Sequence, residues 1–422
     1  MQVTSEIFKC PPGTKDILPD EGLLWQYVEN KAKDILTLYG YMPIRTPILE
    51  NSSLFNRSLG QETEIVKKQM FLIEREKETF CLRPEATAAV VRAYLENSLD
   101  KTNPFVKLYY IGPMFRAERP QKGRLRQFHH IGIEAIGSLS AYLDVEVIVL
   151  ARRILESLNI SGYSLKINSI GCPSDKEGLS KLLRQKLKES LNRLCADCNE
   201  RFERNVFRIL DCKNTECKQV VSQINLQYND YLCNDCVRHF TIVTGTLDAL
   251  KIPYAQDITL VRGLDYYNRT VFEISHPDLG AQDALGAGGR YDNLIADLGG
   301  HQAGAIGFAF GIERLLLVAQ IQSHLPAWKL EVVIISLGEV AQKEGFLLLS
   351  KLRDQGIACD TDYEGRSLKA QMRKANDARA SLVALLGENE LKKRVITVKD
   401  MRTGNQEEIN SDNFIEEIKK RL

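Results

Sequence analysis

The 422-residue chain has no apolar run near the ~20 residues a bilayer requires. Its longest apolar stretches resemble Val332-Val333-Ile334-Ile335, which excludes membrane-spanning helices. The opening segment MQVTSEIFKC lacks a basic region followed by an apolar stretch, and it lacks the Arg-rich, acid-free character of a transit peptide. A cytoplasmic protein with no membrane partner is the expectation. Net charge is nearly absent, with 56 Lys+Arg against 55 Asp+Glu, so no global field marks a polyanionic partner. Ten cysteines fall short of the density of a disulfide scaffold. Neither a phosphate-binding P-loop nor a GxGxxG turn occurs, and internal repeats and low-complexity tracts are missing. Any nucleotide must be held mainly by side chains on an antiparallel sheet.

What is present is an ordinary globular composition, 44% hydrophobic and 26% charged, long enough for two or three domains. An amphipathic stripe (Leu23, Leu24, Tyr27, Val28, Ile35, Leu36) predicts a helix from about Asp20 to Tyr39, capped by Asp20. Tyr41 to Leu49 reads as an extended segment. Pro43 and Pro47 remove ladder donors and confine it to a sheet edge or an interface. Phe105–Phe115 and Phe128–Ile136 read as hairpin strands around a long polar tip, a loop type more often functional than structural. A helix over Ala141–Leu158, a strand over Ser164–Ser169 and a helix near Leu179–Leu194 follow. From about Cys172 to Pro253 periodicity weakens and the cysteines cluster, which marks an inserted module. Strands return at Ile258–Val261 and Thr270–Ile274. The Gly-rich stretch LGAGGRYDNL (285–294) precedes a strand at Ala305–Phe310 and a helix at Ile312–Gln320. Beyond Pro326-Ala327-Trp328, strands and helices alternate to Arg421, predicting a compact α/β unit with a mixed, largely parallel sheet.

Local charge is uneven although the total is balanced. Arg116, Arg119, Lys122, Arg124 and Arg126 stand against Glu118 alone between residues 116 and 130. A second basic stretch runs from Arg366 to Arg394. A charge run is ordinarily a solvated face, so counts alone give neither a role. Arg116 ends a hairpin strand, and Arg314 lies in the first turn of a helix, where free N–H groups attract anions and a guanidinium adds bidentate reach.

These residues sit in blocks that resemble a known family. FRAERPQKGRLRQFHHIGIEAIG (115–137) is similar to motif 2 of the class II aminoacyl-tRNA synthetases, GAIGFAFGIERLLL (304–317) to motif 3, and YGYMPIRTPILE (39–50) to motif 1. LRPEAT (82–87) and LVRGLDYYNRTVFE (260–273) resemble the histidine-specific signatures of the histidyl-tRNA synthetase family. The resemblance implies an α+β catalytic domain with an antiparallel sheet of the class II type, a small inserted module and a C-terminal α/β anticodon-binding domain. The expected bounds are 1–171 and 254–325 for the two catalytic parts, 172–253 for the module and 328–422 for the last domain. It further implies ATP-dependent formation of histidyl-adenylate, then transfer of histidine to the 3′ end of tRNA(His), with Mg²⁺ and a symmetric homodimer built on motif 1.

By the same resemblance, Arg116 and Arg262 are the catalytic cations on the α-phosphate and Arg314 holds the ATP tail. Glu118 and Phe128 frame the adenine. An imidazole offers two ring nitrogens, so a selective pocket needs a partner for each; Glu134 and Tyr267 match the family's readers. Glu85 and Thr87 match the α-amino contacts, while Tyr266, Tyr291 and the Gly286–Gly289 backbone line the wall. His130 stands where the family often has Gln. A histidine there changes charge near physiological pH, which predicts weaker histidine binding in mild acid. Arg119, Lys122, Arg124 and Arg126 would meet the tRNA acceptor end, and Arg366, Lys369 and Arg373 the anticodon arm.

The cysteines suggest a separate structural metal. Cys195-x-x-Cys198 and Cys233-x-x-Cys236 are two knuckles, and paired knuckles suit one tetrahedral Zn²⁺. Cys212 and Cys217 lie between them; the alternative is a set of reduced, buried thiols. Competing readings of the chain are a non-catalytic paralogue that senses histidine, a tRNA-sensing regulatory module, and another class II specificity. Histidine-dependent ATP–pyrophosphate exchange separates them.

Overall fold

Alternating side chains along residues 106–115 and 127–136 build the centre of the molecule. The computed structural model describes residues 8–61, 63–121, 123–280, 283–319 and 329–422. They form two compact units, one within residues 8–319 and the other within residues 329–422. In the first unit the strands are β1 (Met42–Pro43), β2 (Leu49–Asn51), β3 (Phe71–Arg75), β4 (Glu78–Leu82), β5 (Val106–Phe115), β6 (Gln127–Ile136), β7 (Ser164–Ser169), β8 (Ala255–Gln256), β9 (Asn268–Ser275), β10 (Ala284–Arg290) and β11 (Ala305–Gly311). Eight of them join one sheet in the order β1-β5-β6-β11-β10-β9-β7-β8. The two outermost pairings are parallel and every pairing between them is antiparallel. Pro43 lies on the edge strand, where a missing N–H costs no ladder bond. β2, β4 and β3 form a small separate sheet.

One face of the large sheet is apolar. Ile131, Ile133, Phe308 and Phe310 are buried there, and the helices Pro19–Leu38 and Ala141–Ser157 lie in the same layer of packing. The opposite face carries small residues in register. Glu134 pairs with Gly307, Gly132 with Ala309, and His130 with Gly311 across β6 and β11. Gly307 and Ala309 pair in turn with Gly289 and Ala287 of β10. Because strand side chains alternate with period two, these positions share one face and leave a shallow trough over the backbone.

The first helix begins at Pro19, with Leu18 as N-cap and no side-chain cap, so Asp20 is a first-turn acid and not the cap. Proline supplies the helical φ at its start. The expected strand at Ile258–Val261 is a turn. Asp257 Oδ1 accepts from the Thr259 N–H at 3.1 Å and from its hydroxyl at 2.6 Å, an Asx-type bond that bends the chain. The apolar residues Leu260 and Val261 are buried in the core from that turn. The inserted stretch is helical throughout its main elements, Pro173–Leu187, Ala196–Arg204, Thr215–Gln223 and Asn234–Ala249. The helix expected to reach Gln320 is described as far as Val318, and Pro326–Trp328 lie outside the described residues.

The second unit has β12 (Val332–Ser336), β13 (Cys359–Thr361), β14 (Leu382–Leu386), β15 (Val395–Asp400) and β16 (Gln406–Asn410), in the order β13-β12-β14-β15-β16. β12 is parallel to both its neighbours, whereas β14/β15 and β15/β16 are antiparallel. The sheet is mixed, but not largely parallel as expected. The strand that tips the balance, β16, is a polar edge with only Ile409 buried, so it carries no hydrophobic periodicity.

Candidate active site

The trough is the floor of a cleft of about 1050 Å³, counting its solvent-open mouth. Arg116 from the end of β5, Arg262 from the segment before β9, and Arg314 from the first turn of the helix Ile312–Val318 all line it. Glu85, Thr87, Glu118, Phe128, His130, Glu134, Tyr266, Tyr267 and Tyr291 line it too. Three distant arginines and the expected histidine readers therefore share one cavity.

Its deep end is built around Glu134, which is 1% exposed. Gly307 lies directly beneath: a Cβ there would come within 2.0 Å of Glu134 Oε2, so only glycine leaves room for the carboxylate. Three hydroxyls donate to it. Thr87 Oγ1 and Tyr110 Oη reach Oε1 at 2.7 and 3.4 Å, and Tyr291 Oη reaches Oε2 at 2.5 Å. No cation is among these partners. Burial outweighs the hydroxyl bonds and pushes the Glu134 carboxyl up to about 8. Tyr110 was missed in the sequence. Its signal is the strand parity that places it opposite Gly132, beside Leu108 opposite Glu134.

Glu85 does a different job from the one expected of it alone. Its oxygens accept from the N–H groups of Thr87 at 2.6 Å and Ala88 at 2.9 Å, so from the residue before the N-cap Ala86 it satisfies the first-turn donors of the helix Thr87–Glu96 while lining the cleft. Tyr266 packs between Tyr267 and Tyr291, tilted against the first and edge-on to the second, with ring centroids 4.6 and 5.6 Å away. Lys176 Nζ, from the first turn of the insert, donates to the carbonyls of Asp265 at 3.0 Å and Tyr267 at 2.9 Å and fixes this loop.

His130 does not behave as expected. Desolvation, with Arg116, Arg83 and Arg314 nearby, pushes its imidazole down to about 3, and its Nδ1 is buried without a hydrogen-bond partner among the described residues. It is neutral throughout the physiological range, so it cannot cause acid-weakened binding. A charge next to these guanidinium groups is unfavourable.

The shallow end is polar. The Arg116 guanidinium lies 5.2 Å from the Phe128 ring centroid, and its Nε donates to the Pro84 carbonyl at 3.0 Å. Glu118 accepts from Arg124 at 2.9 Å. Arg126 donates to the carbonyls of Glu118 and Pro12, both at 3.3 Å. Arg124 and Arg126 thus brace the hairpin from within, while Arg119 is exposed at its tip and Lys122 lies outside the described residues. Arg314 Nε donates to the Gly123 carbonyl at 3.1 Å, tying motif 3 to that tip. Arg262 is paired with Glu273 at 2.6 Å, and its Nε is buried with no partner among the described residues. Glu313, also missed, accepts from the His129 backbone N–H through both oxygens at 3.0 Å.

The second unit carries the other basic group. Arg366, Lys369 and Arg373 are exposed on the helix Leu368–Asp377 and its lead-in. The knuckle cysteines are not gathered as expected: Cys195 and Cys198 cluster with Cys212 and Cys217, whereas Cys233 and Cys236 cluster with Cys172 and Asp175. Each knuckle lies at the start of a different helix, which separates them.

Comparison with known proteins decides the family. Residues 13–315 match the model for histidyl-tRNA synthetase, and residues 331–421 match that for the anticodon binding domain. The chain belongs to the histidyl-tRNA synthetase family. Among curated relatives of this family, it is 47% identical to the histidine–tRNA ligase of Halothermothrix orenii, covering 98% of this chain and 99% of that one. It is 44% identical to the histidine–tRNA ligase of Thermosipho melanesiensis, over 97% and 98%. The crystal structure of apo Staphylococcus aureus histidyl-tRNA synthetase superposes with a TM-score of 0.81 at 35% identity, covering 98% of this chain and all of that one. The architecture is that of a class II synthetase, with an anticodon-binding unit at the C-terminal end. No helix among the described residues is long and apolar enough to cross a membrane.

Proposed function

We propose that the chain activates L-histidine with ATP and transfers the histidyl group to the 3′ end of tRNA(His). The observation that carries this reading is the convergence of Arg116, Arg262 and Arg314 on the cleft whose deep end holds Glu134. The histidine carboxylate attacks the α-phosphorus and pyrophosphate leaves. The developing negative charge is met by cations already in place, which costs no reorganisation during the reaction. Arg116 and Arg262 act on the α-phosphate, Arg314 on the tail, and Glu118 with Phe128 receives the adenine.

Glu134 and Tyr267 read the imidazole, Glu85 and Thr87 the ammonium, and Tyr266, Tyr291 and His130 complete the wall. A buried carboxyl held only by hydroxyls discriminates strongly, because a ligand lacking the matching N–H leaves its charged form uncompensated. Mg²⁺ suits the shallow end, where Glu273 and Asp283 would supply oxygen donors beside the arginines. Held there with ATP, the ion would supply positive charge against the phosphates.

Arg119 and Lys122 meet the acceptor end of tRNA, and Arg124 and Arg126 hold the hairpin that presents them. Arg366, Lys369 and Arg373 contact the anticodon arm. The inserted module spans 172–253 between the catalytic parts 1–171 and 254–325, and residues 328–422 form the anticodon unit. The active form is a cytoplasmic homodimer paired through the segment 39–50. The test is ATP–pyrophosphate exchange with each amino acid, followed by aminoacylation of total tRNA with labelled histidine. Exchange driven by histidine alone is the expected result; exchange with no amino acid, or with another, overturns the reading.

A further inference from the structure

We propose that the helical insert holds two separate structural Zn²⁺ sites, one of four cysteines and one of three cysteines and a carboxylate. The first is Cys195, Cys198, Cys212 and Cys217; the second is Cys172, Asp175, Cys233 and Cys236. In each quartet the candidate ligand atoms all lie within 4.8 Å of one another. Tetrahedral ligands around Zn²⁺ at ~2.3 Å stand about 3.7 Å apart, so either quartet closes on an ion with side-chain rotation alone. Cys195 Sγ is already 3.9 Å from Cys212 Sγ, and all seven cysteines are free of disulfides.

Position in the fold supports thiolate ligands. Cys195, Cys172 and Cys233 are the N-cap residues of the helices Ala196–Arg204, Pro173–Leu187 and Asn234–Ala249. Cys198, Asp175 and Cys236 follow in the first turns of those helices, and Cys217 in that of Thr215–Gln223. Unpaired N–H groups and the helix dipole favour negative charge at each of these places. The Cys195 N–H points to Cys217 Sγ at 3.2 Å, the backbone-to-sulfur bond that orients and stabilises a coordinating thiolate. Cys198, Cys212, Cys217 and Cys236 are buried, where bare thiols give less than a metal could in so small a helical module.

Asp175 joins the two halves of the second site. Its Oδ2 accepts from the Cys172 N–H at 3.2 Å and its Oδ1 from the Cys233 N–H at 3.1 Å. The site thus clamps the entry of the insert to its last helix. Lys176, the next residue, is the one that holds the Asp265 and Tyr267 carbonyls of the cleft. The second ion therefore also sets the loop carrying Tyr266 and Tyr267. This coupling rests on the proposed function; the metal count does not.

Full-length protein, purified reduced and without added metal, is expected to contain two zinc ions per chain by elemental analysis. Cys198→Ser and Cys236→Ser should each remove one, and Asp175→Ala should weaken only the second. Should a variant fail to fold, Co²⁺ exchange into the unaltered chain replaces it. Two tetrahedral Co²⁺ equivalents are expected, with sulfur-to-metal absorption in a ratio near four to three. No zinc, with every thiol open to a thiol reagent, overturns the proposal. So does a single ion lost in both cysteine variants. An unchanged second site in Asp175→Ala removes the carboxylate ligand. Loss of the second ion should raise the histidine KM roughly fivefold, on the scale of a lost pair of hydrogen bonds. An unchanged KM, with zinc confirmed, overturns the coupling alone.

Discussion

Two buried carboxylates occupy the same catalytic unit and meet opposite surroundings. Glu134 lies in the cleft among hydroxyls. Asp144, on the helix Ala141–Ser157, accepts from Arg290 Nε at 2.7 Å and contacts His239 Nε2 at 2.8 Å. Arg290 is itself fully buried and also binds Asp292 at 2.8 Å and the carbonyls of Ser138 and Ser140. A buried charge with a complete set of partners is structural, because nothing is left for a ligand to supply. A buried carboxyl with neutral donors only is incomplete, and a ligand N–H completes it.

The sharpest way to break the contrast is Arg290→Met, which strands Asp144. Removing one partner of a buried pair costs about 3–5 kcal/mol, so urea unfolding should show a loss on that scale; a change below about 1 kcal/mol would make the network dispensable. Arg262→Ala should come next. Its charge acts on the transition state, so kcat of exchange falls roughly 10²–10³-fold with little change in histidine affinity. Equal losses in both would assign it to ground-state binding. Glu134→Gln should raise the histidine KM about ten- to a hundredfold, in line with a lost charged hydrogen bond, while leaving the fold intact.

The pH response sharpens the comparison further. The Glu134 carboxyl is raised to about 8, so the ligand-free fold retains its proton where the unfolded chain has lost it. The stability from this group is full below the unfolded pKa of about 4.5 and is lost as pH rises through about 8. Histidine that binds the carboxylate must displace that proton, so its KM should fall as pH rises from 6 toward 8. Glu134→Gln should flatten this profile and His130→Gln should not, since His130 stays neutral. The smallest effect belongs to Tyr110→Phe, which removes one long hydrogen bond of 3.4 Å. A KM rise of about fivefold or less is expected from initial-rate measurements.

Much of this is legible in the sequence. The hairpin strands, the arginine blocks and the histidine signatures are local in sequence, and their order identifies the family. What escaped has physical reasons. Tyr110 looks like core filling until the register with Gly132 is known. Glu85 reads as a ligand contact, yet its hydrogen bonds to the Thr87 and Ala88 N–H groups depend on where a helix starts. The polar strand at Gln406–Asn410 has no apolar alternation to betray it. Ile258–Val261 has β-branched character, but Asp257 turns the chain first.

Sequence alone determined which side chains are available: three arginines in matched blocks, a carboxylate in a β-run, and glycines at alternate positions. Those are properties of neighbouring residues, and strand parity carries them onto one face. Tertiary structure decided what each group became. The protonation of Glu134 depends on its burial and that of His130 on burial beside cations from distant segments, and the partition of the cysteines depends on which helix starts meet. Both are set by residues far apart along the chain, where no local pattern reaches.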